Sequence, residues 1–336
     1  MNALIALAIA AAAVPQPAEL RTFKDWIVGC DNGRACQAVA LMPEDGQWEE
    51  RVTLALRRGA ESEAVPEIGF DGDVAIAALA AGGKRLPVAI VGTKEQPVVR
   101  PDTISALLQA IRTEQALETL DGKGKRTGRI SLSGASAALL YMDEQQHRLN
   151  TVTALVRTGA KPASAVPSPP PLPMLVSAPL PAGAKSAEIP ASEVKRLARN
   201  TGCDARQPEG MSAEVEASAI DARTTLILLS CGGGAYNLYS VPFVARRQGT
   251  KLRIEAAPFD ARPGSPEEKH PSLVNAGWDA ARRRLVAFAK GRGIGDCGVG
   301  DEYIWDGARF RLAEQIAMGE CRGSVDYITT WRARVQ

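Results

Sequence analysis

Six cysteines constrain this 336-residue chain more than any other feature: Cys30, Cys36, Cys203, Cys231, Cys297 and Cys321. Their number is even and none stands in a Cys-x-x-Cys pair, the close spacing that zinc sites and thioredoxin-like redox sites usually need. Six cysteines allow fifteen pairings. The distribution narrows them, because two lie close together near the N-terminus and four lie after residue 200. The pairs expected are Cys30–Cys36, Cys203–Cys231 and Cys297–Cys321. Each adds roughly 2–4 kcal/mol in the chain-entropy picture, the shortest loop least. The bland alternative is six buried thiols in a reducing compartment. Disulfides imply an oxidising one, such as a Gram-negative periplasm.

The N-terminus points the same way. Residues 3–14 form an apolar run too short to span a bilayer, which takes about 20 residues, but long enough for a signal-peptide core. Ala11 and Ala13 close it in an Ala-x-Ala pattern, and Pro15 and Pro17 follow. No Lys or Arg precedes the core, and no cysteine stands before residue 30 to carry a lipid. The expectation is an export signal over 1–18, a periplasmic location, and no transmembrane segment in the mature chain.

Length at about 100–200 residues per domain predicts two domains. The boundary is written in proline: nine of the 22 fall between residues 162 and 190. Proline neither donates to a sheet nor continues a helix, so this segment is expected to be an extended, semi-stiff linker over 161–190. Domains are then expected over 19–160 and 191–336. Eleven of the sixteen aromatic residues follow residue 190, which predicts an aromatic core for the second.

The first domain reads as α+β. A hairpin over Phe23–Met42 turns at Asp31-Asn32-Gly33. Arg51–Arg57 alternates as a half-buried strand, and further strands are expected at Leu86–Val91, Arg129–Ser133 and Thr151–Val156. Helices are expected over Thr103–Arg112 and, capped by Ser133 or Ser136, up to Gln146. The second domain opens with a helix over Ala191–Arg199, capped at Ser192. Strand-like runs follow at Thr224–Ser230, Leu238–Arg246, Leu252–Ala257, Leu285–Ala289, Asp301–Trp305 and Phe310–Ile316. That spacing predicts an antiparallel sandwich or barrel. The fold class expected for the chain is α+β, mainly antiparallel β.

Several long motifs resemble a known family. They are Phe23-Lys-Asp-Trp26-x3-Cys30-Asp31-Asn32-x3-Cys36, Ile130-Ser-Leu-Ser-Gly134 and Met142-Asp-Glu-x-Gln146-x-Arg148 in the first half. In the second they are Gly234-Ala-Tyr-Asn237, Asn275-Ala-Gly-Trp278, Gly291-Arg-Gly-Ile-Gly-Asp-Cys297-Gly298 and Tyr303-Ile-Trp-Asp-Gly307. Together they resemble the bacterial domain-of-unknown-function 1176 family, and the first half is faintly similar to invasion-associated locus B proteins. The resemblance implies an exported Gram-negative protein and supplies no catalytic residue or cofactor.

Composition narrows function further. Forty Lys+Arg against 38 Asp+Glu leaves +2, so no electrostatic case exists for a nucleic-acid partner. Only His147 and His270 are present, too few for a multi-histidine metal centre. The glycine-rich run Gly291–Gly298 is followed by a strand-like segment, not the helix that a dinucleotide loop requires. It reads as a tethered turn, with Arg292 and Asp296 either projecting into a ligand site or paired with each other. Cys231-Gly-Gly-Gly-Ala-Tyr236-Asn237 reads as a bulge or turn, or as a surface on which Tyr236 and Asn237 touch a ligand. It faintly resembles a loop of periplasmic lysozyme inhibitors, without the serine. Ser192-x-x-Lys195 lacks the companion elements of serine–lysine acyl enzymes. Asp301 and Glu302 are neighbours on a strand and face opposite ways, so they cannot pair as acid and base. The function expected is a non-catalytic binding module of the envelope, its partner another envelope protein or a glycan, with no cofactor. The alternatives are a carboxylate-based envelope hydrolase and a lysozyme-inhibitor-like protein.

Overall fold

The computed structural model describes residues 14–336 except Asp45, Gln47, Thr250 and Pro266. Most of the expected export signal therefore lies outside the described residues. The first half runs β1 (Arg21–Phe23), β2 (Trp26–Cys30), β3 (Cys36–Ala40), β4 (Val52–Arg58), β5 (Glu67–Gly72), β6 (Ala78–Ala81), β7 (Lys84–Arg85), β8 (Ile90–Gly92) and β9 (Pro97–Val99). Helix α1 (Ile104–Thr113), β10 (Ala116–Leu120), β11 (Arg126–Ser131) and helix α2 (Ala135–Gln145) complete it. Its main sheet has the order β1-β2-β3-β4-β5-β9-β8, and a smaller one the order β11-β10-β6-β7.

Alternation decides what each face of β2 and β4 buries. Trp26, Val28, Cys30, Leu54 and Leu56 turn inward against α1 and α2, where Leu107, Ile111, Leu139 and Met142 meet them. Ile27 and Ala55 point the other way, into a second apolar cluster with Met318 and Ile328 from the far end of the chain. The sheet is buried on both faces, which is why Trp26–Cys30 has no polar position.

The second half begins with β12 (Met174–Leu175) and helix α3 (Ala191–Thr201). Strands β13 (Val215–Ala219), β14 (Thr224–Gly233), β15 (Leu238–Gln248), β16 (Lys251–Ala256) and β17 (Leu273–Val274) form one antiparallel sheet. Strands β18 (Gly277–Asp279), β19 (Arg284–Lys290), β20 (Gly298–Trp305), β21 (Phe310–Met318) and β22 (Ile328–Arg332) form another, and β23 (Arg334–Val335) pairs in parallel with β12. Leu226, Leu228 and Val244 of the first sheet share a core with Leu285, Tyr303, Trp305 and Phe310 of the second. Ile227, Leu229 and Cys231, on the reverse face of β14, pack against Leu197 of α3. The chain is thus mainly antiparallel β in the α+β class, with two sheets packed face to face in this half and neither closed into a barrel. The three expected disulfides form, and no cysteine is free.

Local expectations fail at identifiable places. Ser133 and Ser136 do not cap α2; Gly134 does, at φ 94°. A Cβ there would lie 1.7 Å from the Phe23 carbonyl oxygen, so the close approach of β1 admits only glycine. Pro190, not Ser192, precedes α3 as its cap. Within Leu86–Val91 only Ile90 and Val91 belong to a strand; Leu86 N donates to Leu79 O of β6 instead, and Pro87, with no amide to give, interrupts the run. Thr151–Val156 forms turns instead of a strand.

Segment 161–190 is mostly extended, apart from a 3-10 turn at Ala163–Ala165, and runs along both halves. Arg34 donates to the Pro167 and Ser168 carbonyls, and Leu175 is buried beside Ile304. The Ala178 amide donates to Trp305 O (2.8 Å) and the Arg334 amide to Pro173 O (2.8 Å).

Candidate functional site

The four residues singled out in the sequence meet in one corner. The β14–β15 turn brings Tyr236 and Asn237 against the loop that joins β19 to β20, which carries Arg292 and Asp296. Asn237 behaves like an extra strand residue: its Nδ2 donates to Lys290 O (2.9 Å) and its Oδ1 accepts from Lys290 N (3.2 Å). Asn275 completes this frame. Its Nδ2 donates to Asn237 Oδ1 and Phe288 O (both 2.9 Å), and its Oδ1 accepts from Leu238 N (2.9 Å). The Tyr236 hydroxyl donates to Gly291 O (3.3 Å).

The glycine-rich loop is closed on itself and on the tail. Gly291 N donates to Cys297 O (2.8 Å), and the Cys297–Cys321 disulfide ties the loop to the segment after β21. Gly298 sits at φ 142°, where a Cβ would come 2.1 Å from Ala289 O. Arg292 and Asp296 form a bidentate pair within the loop, Nε to Oδ1 at 2.7 Å. Asp296 Oδ2 also accepts from Gly323 N (2.7 Å), and Tyr327 OH donates to Gly295 O (3.1 Å). Burial works to raise the Asp296 carboxyl, but the hydrogen bonds from Arg292 and Gly323 and the guanidinium charge outweigh it and hold it below its ordinary value. The Arg292 guanidinium also lies 5.3 Å from the Trp48 ring centroid, a cation–π contact between the two halves.

Asn237 and Asp296 are therefore bound up in the frame, while Tyr236 and one face of Arg292 remain at the surface. Around them the corner is apolar. Leu238 is 66% exposed, Met211 63%, Ile294 62%, Tyr236 41% and Tyr239 40%. Met211, Leu238 and Tyr239 line an open groove of about 530 Å³ with Gly232–Gly234 and Asn275. Sequence reasoning missed Asn275 and Trp48 as members of this corner; only the motif Asn275-Ala-Gly-Trp278 pointed to the first.

A second constellation was legible in the sequence only as a motif, without its role or its partner Arg58. Arg58, Asp143, Gln146 and Arg148 are buried together at 2% exposure or less. Arg58 Nη2 donates to Asp143 Oδ1 (2.7 Å) and its Nε to Gln146 Oε1 (2.7 Å). Arg148 donates to Gln146 Oε1, Thr153 Oγ1 and the carbonyls of Gly59, Glu61 and Ser62. Burial and the nearby Arg58 charge push Arg148 down to about 10, which leaves it charged at neutral pH. These side chains brace the loops at 59–62 and 151–156, and they account for the motif Met142-Asp-Glu-x-Gln146-x-Arg148.

The remaining candidates stand apart. His147 is exposed, and His270 lies in the loop before β17. Asp301 accepts from Gln315 Nε2 (2.8 Å), whereas Glu302 accepts from Arg282 Nη2 (2.6 Å). Among the described residues no group of three or more His, Cys, Asp or Glu could hold a metal, and no helix is long and apolar enough to cross a membrane.

Fold and corner together define a disulfide-stapled, mainly antiparallel β protein whose glycine loops build a rigid, partly apolar surface. The chain belongs to the DUF1176 family, described as proteins of unknown function, whose profile matches residues 20–334. It is 30% identical over 341 residues to the uncharacterised protein YpfG of Escherichia coli (strain K12), covering 94% of this chain and 93% of that protein. No solved structure matches the chain.

Proposed function

We propose that this is an exported protein of the bacterial envelope that binds a partner protein through the Tyr236–Arg292 corner. The observation that carries the reading is the exposure of Met211, Leu238, Tyr239 and Ile294 around that corner. Tyrosine, methionine and arginine are enriched at protein interfaces, and a surface fixed by Asn237, Asn275 and a disulfide loses little entropy on binding. Export rests on the three disulfides, which persist in oxidising compartments. An envelope glycan is the other ligand class that Tyr236 and Tyr239 could stack against.

The test is site-specific photocrosslinking from position 238 in intact cells, alongside fractionation. The reading expects the protein in the periplasmic fraction and one discrete protein adduct. Tyr239→Asp should abolish that adduct while keeping the wild-type melting temperature within a few degrees. A cytosolic protein, or an adduct pattern indifferent to Tyr239→Asp, contradicts it.

A further inference from the structure

The groove beside Leu238 opens onto the outer edge of β13. Among the described residues β14 pairs with one side of β13 and no strand with the other. The antiparallel register runs from Val215–Leu229 to Ala219–Thr225 without a shift. Ser230 N donates to Glu214 O (2.8 Å) and Ile220 N to Thr224 O (3.0 Å), so the even-numbered residues 214–220 turn their backbone groups toward β14. Alternation then turns the N–H and C=O groups of Val215, Ala217 and Ala219 outward. Among the described residues none of these groups has a backbone partner, and all three residues are partly exposed.

Open edges invite further pairing, and proteins guard them with basic residues, proline, bulges or a covering segment. The longer outer strands of the other sheets, and the far edge of this one, are guarded. β11 carries Arg126 and Arg129, and β16 carries Lys251 and Arg253. β22 is bonded beyond its own sheet: Ala18 N donates to Thr330 O (3.0 Å), and Arg332 N donates to Asn32 Oδ1 (2.9 Å). β13 reads Val-Glu-Ala-Ser-Ala, with no basic residue, no proline and no bulge. The chemistry beside it is acidic. Glu214 and Glu216 share one face of β13, the face of Leu228, which stands across from Glu216. Both are exposed, and among the described residues neither side chain is in an ion pair. They are the only charged residues that line the groove with Met211 and Leu238.

We infer that an extended segment of the partner protein adds to the edge of β13 as a further strand and sets a lysine or arginine opposite Glu216. The inference rests on the partner-protein reading of the corner and says how that partner is held. Main-chain hydrogen bonds to Val215, Ala217 and Ala219 supply affinity, and alternate side chains supply specificity. A residue directly across from Glu216 has its Cβ roughly 4.5–5.5 Å away, close enough for its cationic group to meet the free carboxylate. Its same-face neighbours along the added strand overlie the groove that Met211 and Leu238 line.

The test is photocrosslinking from position 238 of the full chain in intact cells, repeated in three variants. Ala217→Pro removes one outward amide and leaves the ladder to β14, a position where edge strands accept proline. It should keep the melting temperature within a few degrees and lower the adduct yield about tenfold. Glu216→Lys, at an exposed position, should lower the yield as far, and Arg253→Ala on β16 should not change it. Hydrogen exchange gives a readout that needs no variant to fold: in the purified crosslinked complex the Ala217 amide should exchange about tenfold or more slower than in the free chain. An unaltered yield in folded Ala217→Pro, or an Ala217 amide that exchanges equally fast in the complex, overturns strand addition and leaves the corner reading standing. A yield indifferent to Glu216→Lys overturns the basic segment. No adduct from the wild-type chain contradicts the corner reading and this inference with it.

Discussion

Asp143 is a carboxylate with no exposure to water, held by Arg58 and by the amides of Leu155 and Val156 at 2.8–2.9 Å. Burying a charge is tolerable only when every lone pair finds a donor, and here each oxygen has one or more. Asp143→Ala would leave Arg58 and Arg148 as two buried cations without the buried carboxylate between them. We expect a loss of about 3–5 kcal/mol of stability, read by urea unfolding. The same carboxylate explains why Thr151–Val156 turns although its alternation reads as a strand: two of its amides are already given to Asp143. No single-sequence pattern could show that, because Arg58 lies 85 positions away from Asp143. Asp296 illustrates the pH dependence of such groups. Its carboxyl is depressed below the ordinary 3.8, so its contribution is full above that value and disappears as pH falls through the lower folded value. Wild type should therefore exceed Asp296→Asn by about 2 kcal/mol at neutral pH, and the gap should close below about pH 4. Asp301, raised by burial, behaves oppositely: removing it should help more as pH rises.

Among the elements, the longer strands were legible because burial imprints them directly. Continuous apolar residues in Thr224–Ser230 reflect a strand covered on one face by α3 and on the other by the second sheet. Strands of two or three residues, such as β7, β8 and β17, carry too little pattern to read. The proline-rich segment was legible as extended but not in its contacts, since proline content says nothing about which carbonyls will be used. Its carbonyls and amides meet Arg34, β20 and β23 as far as Ala178, and residues 181–186 are mostly exposed. Limited proteolysis should thus cut first at about 181–186, next to Lys185, with 163–178 protected. The two fragments should co-elute under native conditions, because Ile27, Val39 and Leu41 share a core with Met318 and Ile328. Separation of the fragments, or first cleavage at Pro167–Pro173, would contradict the packing.

For the whole molecule, the two halves are joined by an apolar cluster, ion pairs, a cation–π contact and hydrogen bonds such as Met42 N to Arg322 O and Asn32 Nδ2 to Arg332 O. The apolar cluster lies at the centre, and around it stand the ion pairs Arg57–Asp326, Arg322–Asp25 and Arg332–Asp31. The Arg292–Trp48 contact lies beside the candidate corner. The corner itself was legible in part: glycine and cysteine motifs marked Tyr236, Asn237, Arg292 and Asp296, yet hid that two of them are committed to the frame. The apolar residues that give the corner its proposed use, Leu238 and Met211, carry no motif, because exposure is a property of the assembled sheets. The central claim, an exported and oxidised binding protein, is tested most directly by the mass of the protein taken from its native host. Denaturing, non-reducing spectra should show a chain shortened at its N-terminus and lighter by the six hydrogens of three disulfides. Native spectra should add the mass of a bound partner that Tyr239→Asp removes. A full-length chain with six free thiols and no added mass would contradict the account.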